Sequence, residues 1–128
     1  MKKIMLIDDD PDFVLIFSKR LEAAKYQVRT TLLNKDGIEK VKEENPDLIV
    51  LDCNMPEIDG FAALEILKRT FETKAIPVIM MSAHYMDEGT IDVARSLGAA
   101  EIFEKTEDLG LMVGKIHDFC EGGFKKKA

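Results

Sequence analysis

The sequence predicts an α/β protein: a parallel sheet of five strands, in the order 2-1-3-4-5, sandwiched between helices on both faces. Two kinds of segment carry this expectation. Residues 4–7, 48–51 and 78–81 are wholly apolar, too short for a helix and bounded by polar residues. Each reads as a strand buried on both faces. Stripes at helical spacing fill the stretches between strands, so strand and helix alternate five times, which implies a parallel sheet covered on both sides. Right-handed crossovers limit the topology. Residues 26–31 and 100–104 are only partly apolar. They suit the sheet edges, which leaves the three apolar strands in the middle.

The elements follow in order. After the first strand, Asp10 suits a helix N-cap and Pro11 the first helical position. Phe13, Phe17, Leu21 and Ala24 then recur at helical spacing. Asn34 is placed to cap a second helix with Ile38 and Val41 on its apolar face, and Pro46 stops it. Phe61, Leu64, Leu67 and Phe71 predict a third helix. Ile91, Ala94 and Leu97 predict a fourth, with Gly98 as a left-handed C-cap. Leu109, Met112, Ile116 and Cys120 predict the fifth. One domain over residues 1–121 accounts for all of this, and residues 122–128 read as a flexible tail or the start of a linker.

Composition narrows the function. The chain has 128 residues, with 24 acidic against 18 basic side chains and a formal charge of −6. That balance argues against direct nucleic-acid binding, which needs a basic footprint. No apolar run reaches the ~20 residues that span a bilayer, and the N-terminus does not read as a signal peptide. Cys53 and Cys120 make neither metal-ligand spacing nor a disulfide framework, which points to free thiols in a reducing compartment and, by default, the cytoplasm.

The residues that follow the strands carry the chemistry. The first strand ends in Asp8-Asp9-Asp10, the third in Asp52, the fourth in Ser82 and the fifth in Lys105. In a doubly wound sheet these positions share the carboxyl rim, where ligands bind at the switch point between strands 1 and 3. Two like charges 4 Å apart repel by about 4 kcal/mol at an effective dielectric of 20. Lys105 relieves part of that repulsion, and a divalent cation would relieve more. An all-oxygen donor set favours Mg²⁺ or Mn²⁺ over zinc. A carboxylate beside such an ion can act as a nucleophile toward phosphorus. The Lys105 ammonium and Ser82 hydroxyl are suitable donors for phosphoryl oxygens.

These pieces resemble the receiver domain of two-component response regulators, the CheY-like family, with its flavodoxin-like (βα)5 three-layer sandwich. The resemblance rests on Ile7-Asp8-Asp9-Asp10-Pro11, Leu51-Asp52-Cys53-Asn54-Met55-Pro56 with Gly60 beyond, Met81-Ser82-Ala83, Leu97-Gly98-Ala99 and Lys105, in order and each beside a strand. It covers residues 3–121. It implies that Asp52 is the phosphoacceptor and that Asp8, Asp9, Asp52 and the backbone carbonyl of Asn54 hold Mg²⁺. It implies that Ser82 is a switch hydroxyl and that Lys105 pairs with the acids and then with the phosphoryl group. The phosphodonor would be a phosphohistidine on a sensor histidine kinase or phosphotransfer protein. The output protein or domain is unknown, and the usual output face is the fourth helix, fifth strand and fifth helix. Asn54 and His84 stand where the family tunes dephosphorylation, with plain surface exposure as the other reading of His84. On this resemblance the chain is not an enzyme beyond its own phosphorylation and dephosphorylation.

Two positions depart from the family pattern. Thr106 follows the lysine where proline is usual. A cis bond to a non-proline costs about 2.5–4 kcal/mol, so this peptide is expected to be trans, and the aim of Lys105 is open. Ile102 stands at the usual aromatic switch position. Phe103 beside it should face the other side of the sheet. These departures motivate the alternative of an unphosphorylated receiver-like interaction module. A haloacid-dehalogenase-type phosphatase would want an acid where Asn54 stands. A flavin-binding flavodoxin would want a phosphate-binding loop where the chain has three aspartates. Cys53 is expected to pack beneath the acceptor, and His117 to be an ordinary surface residue.

Overall fold

The computed structural model describes residues 1–31, 37–53, 59–106 and 108–123. Its elements are β1 (Lys3–Ile7), α1 (Pro11–Ala23), β2 (Gln27–Thr31), α2 (Gly37–Glu44), β3 (Leu48–Asp52), α3 (Gly60–Arg69), β4 (Val78–Ser82), α4 (Glu88–Ser96), β5 (Glu101–Glu104) and α5 (Leu109–Asp118), closed by a π-helical turn over Phe119–Gly123. The strands form one sheet in the order β2-β1-β3-β4-β5, and every neighbouring pair is parallel. This is the predicted architecture, a flavodoxin-like three-layer sandwich. Asn34, Asn54, Met55, Pro56 and residues 124–128, on which expectations rested, lie outside the described residues.

Alternation along the strands divides the core in two. Met5, Ile7, Ile49, Leu51, Val78, Met80 and Ile102 pack with Val41 of α2, Ala63, Leu64 and Leu67 of α3 and Ala94 of α4. Ile4, Leu6, Val28, Leu48, Val50, Ile79 and Met81 pack with Phe17 and Leu21 of α1 and Met112 and Ile116 of α5. Successive side chains on a strand point to opposite faces. A central strand with helices on both sides is therefore apolar on both faces, as residues 4–7 of β1, 48–51 of β3 and 78–81 of β4 are; the polar residues Asp52 and Ser82 come only at the carboxyl ends.

Local chemistry sets the ends of the helices. Asp10 caps α1, its carboxylate accepting the backbone N–H groups of Asp12 and Phe13. Asp59, Asp87 and Asp108 cap α3, α4 and α5 in the same way. The acids that precede these helices were the available signal for those three caps. Asn45 (φ 45°) and Gly98 (φ 111°) leave α2 and α4 through left-handed backbone. The expected third helix is too long by one apolar position: α3 ends at Arg69, and Phe71 is 79% exposed. The Thr70 hydroxyl donates to the Ile66 carbonyl and the Thr73 hydroxyl to the Leu67 carbonyl, so threonine side chains take up the last helical acceptors. The α-helical part of the fifth helix also stops early, and Cys120 sits on the π-helical turn.

Candidate functional site

Parallel strands all present their carboxyl ends at one rim, and the β1/β3 boundary is where the winding reverses. Asp8 follows β1 directly, Asp52 ends β3, Ser82 ends β4 and Lys105 follows β5. Asp8 and Asp52 are buried, and Asp9 is exposed. One carboxylate oxygen from each of Asp8, Asp9 and Asp52 lies within 4.8 Å of the others. The acids predicted to converge are therefore brought together.

Lys105 reaches the same point. Its Nζ lies 2.7 Å from Asp8 Oδ2 and 3.6 Å from Asp52 Oδ1. The backbone holds the root of this side chain, since Lys105 N–H donates to the Ser82 carbonyl at 2.7 Å. No described peptide bond is cis, including the one before Thr106. The absence of proline therefore does not turn Lys105 away from the acids. The other oxygen of Asp8, Oδ1, accepts the N–H of Asp10 at 2.9 Å. A carboxylate oxygen has two acceptor sites, so these contacts leave Asp8 capable of a further ligand.

Ser82 is buried, and its hydroxyl is engaged with its own loop. Oγ donates to the His84 carbonyl at 3.0 Å and accepts the His84 N–H at 3.1 Å. His84 is exposed. Cys53 lies directly after Asp52, and burial, reinforced by the negative charges of Asp52 and Asp59, pushes its thiol up to about 12. It is therefore a neutral thiol at physiological pH and a poor redox group. Ile102 and Phe103 do face opposite sides of the sheet. Ile102 packs in the cluster with α2, α3 and α4, and Phe103 lies against the other cluster, with the Lys115 ammonium 5.2 Å from its ring centroid.

Two residues do more than the sequence suggested. Phe13 was expected only to supply apolar surface, yet its ring centroid lies 4.3 Å from Lys105 Nζ. His117 is exposed as expected but is not a bare surface residue, because its Nδ1 lies 3.0 Å from the Tyr26 hydroxyl. Burial, together with neighbouring Cys120, pushes the Tyr26 phenol up to about 12.

Residues 4–117 match the sequence profile of the response regulator receiver domain. The chain belongs to that family. Among curated relatives, protein PilH of Pseudomonas aeruginosa is 32% identical over 123 residues, which cover 95% of this chain and 100% of PilH. The DNA-binding dual master transcriptional regulator RpaA of Synechocystis is 34% identical over 116 residues, 91% of this chain and 48% of RpaA. The receiver domain thus spans the whole of one relative and about half of the other. A solved structure, the signal receiver domain of a DNA-binding response regulator from Colwellia psychrerythraea, superposes with a TM-score of 0.81 at 25% identity, covering 94% of this chain and 99% of that one. A CheY-like receiver domain from Methanospirillum hungatei shares the fold, with a TM-score of 0.83 at 21% identity over 98% of each chain.

This is a receiver domain of two-component phosphorelay signalling, a family of phosphoryl-accepting signalling modules rather than metabolic enzymes. Receiver domains generally bind Mg²⁺ at an acidic cluster and interact with histidine kinases or phosphotransfer proteins and with output domains. Among the described residues, no helix is long and apolar enough to cross a membrane.

Proposed function

We propose that Asp52 is the phosphoacceptor and that its phosphodonor is a phosphohistidine on a sensor histidine kinase or phosphotransfer protein. The observation that carries this reading is one ammonium placed between two buried carboxylates, Asp8 and Asp52, beside a third at Asp9. A structural ion pair needs one acid. Three acids within 4.8 Å of one another repel, and a cluster of that kind fits a site that receives a cation and a phosphoryl group.

The donor set fits Mg²⁺, with Mn²⁺ as the second choice, because carboxylate oxygens are hard ligands. Asp8, Asp9 and Asp52 would hold the ion, with the backbone carbonyl of Asn54 as a further ligand. When bound, Mg²⁺ supplies positive charge against which phosphoryl oxygens are stabilised.

The chain's own groups supply the rest. A carboxylate oxygen of Asp52 attacks phosphorus in line with the phosphohistidine nitrogen. The O–P bond forms, the N–P bond breaks and the imidazole leaves with the electron pair. The Lys105 ammonium, already 3.6 Å from Asp52 Oδ1, then lies against the new phosphoryl oxygens. The Ser82 hydroxyl exchanges its bond to the His84 carbonyl for one to the phosphoryl group, and that pull on the β4–α4 segment changes the surface offered to an output partner. Exposed His84, two residues beyond Ser82, is the residue we assign to tuning water attack on the phosphorylated state. The site works in a reducing cytoplasm, where Cys53 and Cys120 stay free thiols.

Incubation with Mg²⁺ and a small acyl phosphate, followed by intact mass, tests this. One phosphate adduct is expected on the wild type and none on Asp52→Asn. An adduct of equal yield on Asp52→Asn would overturn the assignment. Convergence of Asp8, Asp9, Asp52, Ser82 and Lys105 at one rim disfavours the unphosphorylated module.

A further inference from the structure

We propose that Phe13 is a positioning residue for the reaction: its aromatic face holds the Lys105 ammonium between Asp8 and Asp52. This deepens the reading of Asp52 as phosphoacceptor and rests on it.

Lys105 has a demanding task. It leaves the edge strand β5 and reaches across the ends of β4 and β3 to an acid at the end of β1. A lysine stem carries about 2 kcal/mol of rotamer entropy and a point charge with no directional fork. The segment after it is held by modest contacts. Thr106 N–H donates to the Met112 sulfur at 3.4 Å, and the Thr106 hydroxyl donates to the Asp108 carbonyl at 3.0 Å. Thioether sulfur is a weak acceptor. Neither contact fixes the ammonium itself, so its aim must be set at the far end of the side chain.

At that far end, among the described residues, Nζ meets two carboxylates and an aromatic ring. Asp8 Oδ2 is at 2.7 Å, Asp52 Oδ1 at 3.6 Å and the Phe13 ring centroid at 4.3 Å. The last distance is well inside the ~6 Å within which a ring quadrupole attracts a cation. The ring is itself anchored. It stacks on Phe17 with centroids 5.1 Å apart, and Phe17 is fully buried in the core. Phe13 stands on the first turns of α1, whose N-cap is Asp10, two residues after Asp8. One short stretch of chain therefore sets both the acid and the ring that confine the ammonium. The ring adds no charge to compete with the phosphoryl group. It attracts the cation without binding it so tightly that Lys105 could not turn toward Asp52 when phosphate arrives.

The test compares Phe13→Leu, which keeps apolar volume without a π face, with Phe13→Tyr, which keeps the face. Two readouts are taken on the full chain: the phosphorylation rate with a small acyl phosphate and Mg²⁺, and the proton shifts of the Lys105 ε-methylene. The wild-type ε-protons should lie upfield of those of exposed lysines because of the ring current. Phe13→Leu should lose that displacement and react about tenfold more slowly, equivalent to about 1.4 kcal/mol of barrier. Phe13→Tyr should keep the displacement and most of the rate. Wild-type rate in Phe13→Leu would overturn the proposal, as would an equal loss in both variants. Failure of the wild type to take up phosphate would strike the phosphoacceptor reading instead. In that event the ring-current arm still decides whether Phe13 holds the lysine: the displacement must be present in wild type and Phe13→Tyr and absent in Phe13→Leu.

Discussion

Asp8 and Asp52 are both buried, both carboxylates and both near Lys105, yet their removal should have opposite consequences. Asp8 holds the ammonium at 2.7 Å and also accepts the Asp10 N–H that starts the turn into α1. Replacing Asp8 with alanine leaves a mostly buried ammonium facing one more distant acid. Breaking one side of a buried ion pair typically costs about 3–5 kcal/mol. Asp52 is 3.6 Å from the same ammonium and shares the rim with two other acids. Asp52→Asn removes like-charge repulsion while Asp8 keeps Lys105 paired. In metal-free buffer, urea denaturation should show Asp8→Ala strongly destabilised and Asp52→Asn unchanged or slightly stabilised. Equal destabilisation of the two would mean that Lys105 is shared evenly. Much of this site was legible in the sequence, because a strand end is a fixed address: Asp8, Asp52 and Ser82 each directly follow an apolar run, Asp9 stands beside Asp8, and Lys105 follows the mixed edge strand. The Phe13 contact was not legible. It depends on the path of a long lysine side chain between elements 92 positions apart in the chain, and helical spacing marks Phe13 only as apolar. The bond between His117 and Tyr26 was hidden for the same reason, since neither the residue before β2 nor the exposed side of α5 announces the other.

At the scale of elements, the approach of α3 to the end of β3 is the tightest constraint on the site. A Cβ built on Gly60 would lie 2.5 Å from Cys53 Cα and 2.7 Å from the Asp52 carbonyl oxygen. Both are backbone atoms and cannot swing aside. The Gly60 N–H donates to the Cys53 carbonyl at 3.2 Å, so the first residue of α3 is pressed against the residue after the acceptor. Gly60→Ala must push α3 away from β3 or shift Asp52. Overpacking of this kind typically costs about 1–3 kcal/mol, and backbone contacts place this position at the upper end or beyond it. The variant should melt lower than wild type by calorimetry and should also phosphorylate more slowly, because the acceptor moves. A lower melting temperature with an unchanged rate would mean that α3 yields and Asp52 stays fixed. The sequence marked Gly60 as part of a motif but carried no sign of the clash that requires it. Helix ends were also read imperfectly. Spacing of three and four carries the apolar pattern of α3 on to Phe71, whereas the Thr70 and Thr73 hydroxyls end the helix at Arg69. Periodicity counts apolar positions and does not register side chains that compete for backbone carbonyls.

Across the whole molecule, the two apolar clusters on either side of the sheet supply stability, and the carboxyl rim opposes it. Sheet order was the most readable property of the chain, because burial on both faces makes residues 4–7, 48–51 and 78–81 wholly apolar and so betrays which strands are central. The rim's opposition to folding yields a further expectation. A ligand that binds only the folded state stabilises it by RT ln(1 + [L]/Kd), about 1.4 kcal/mol at ten times Kd. For a domain of this size that raises the melting temperature by roughly 5 °C. Mg²⁺ should therefore raise the melting temperature of the wild type in a saturable way. Simple screening of like charges would also stabilise a crowded acidic rim, but it depends on ionic strength and not on the identity of the cation. KCl at matched ionic strength should accordingly do much less. Asp9→Asn and Asp52→Asn should each weaken the Mg²⁺ response, since each removes a charged donor, while distant Asp118→Asn on α5 should leave it intact. A matched effect from KCl, or an undiminished Mg²⁺ response in both rim variants, would show that the three acids are crowded without forming a cation site.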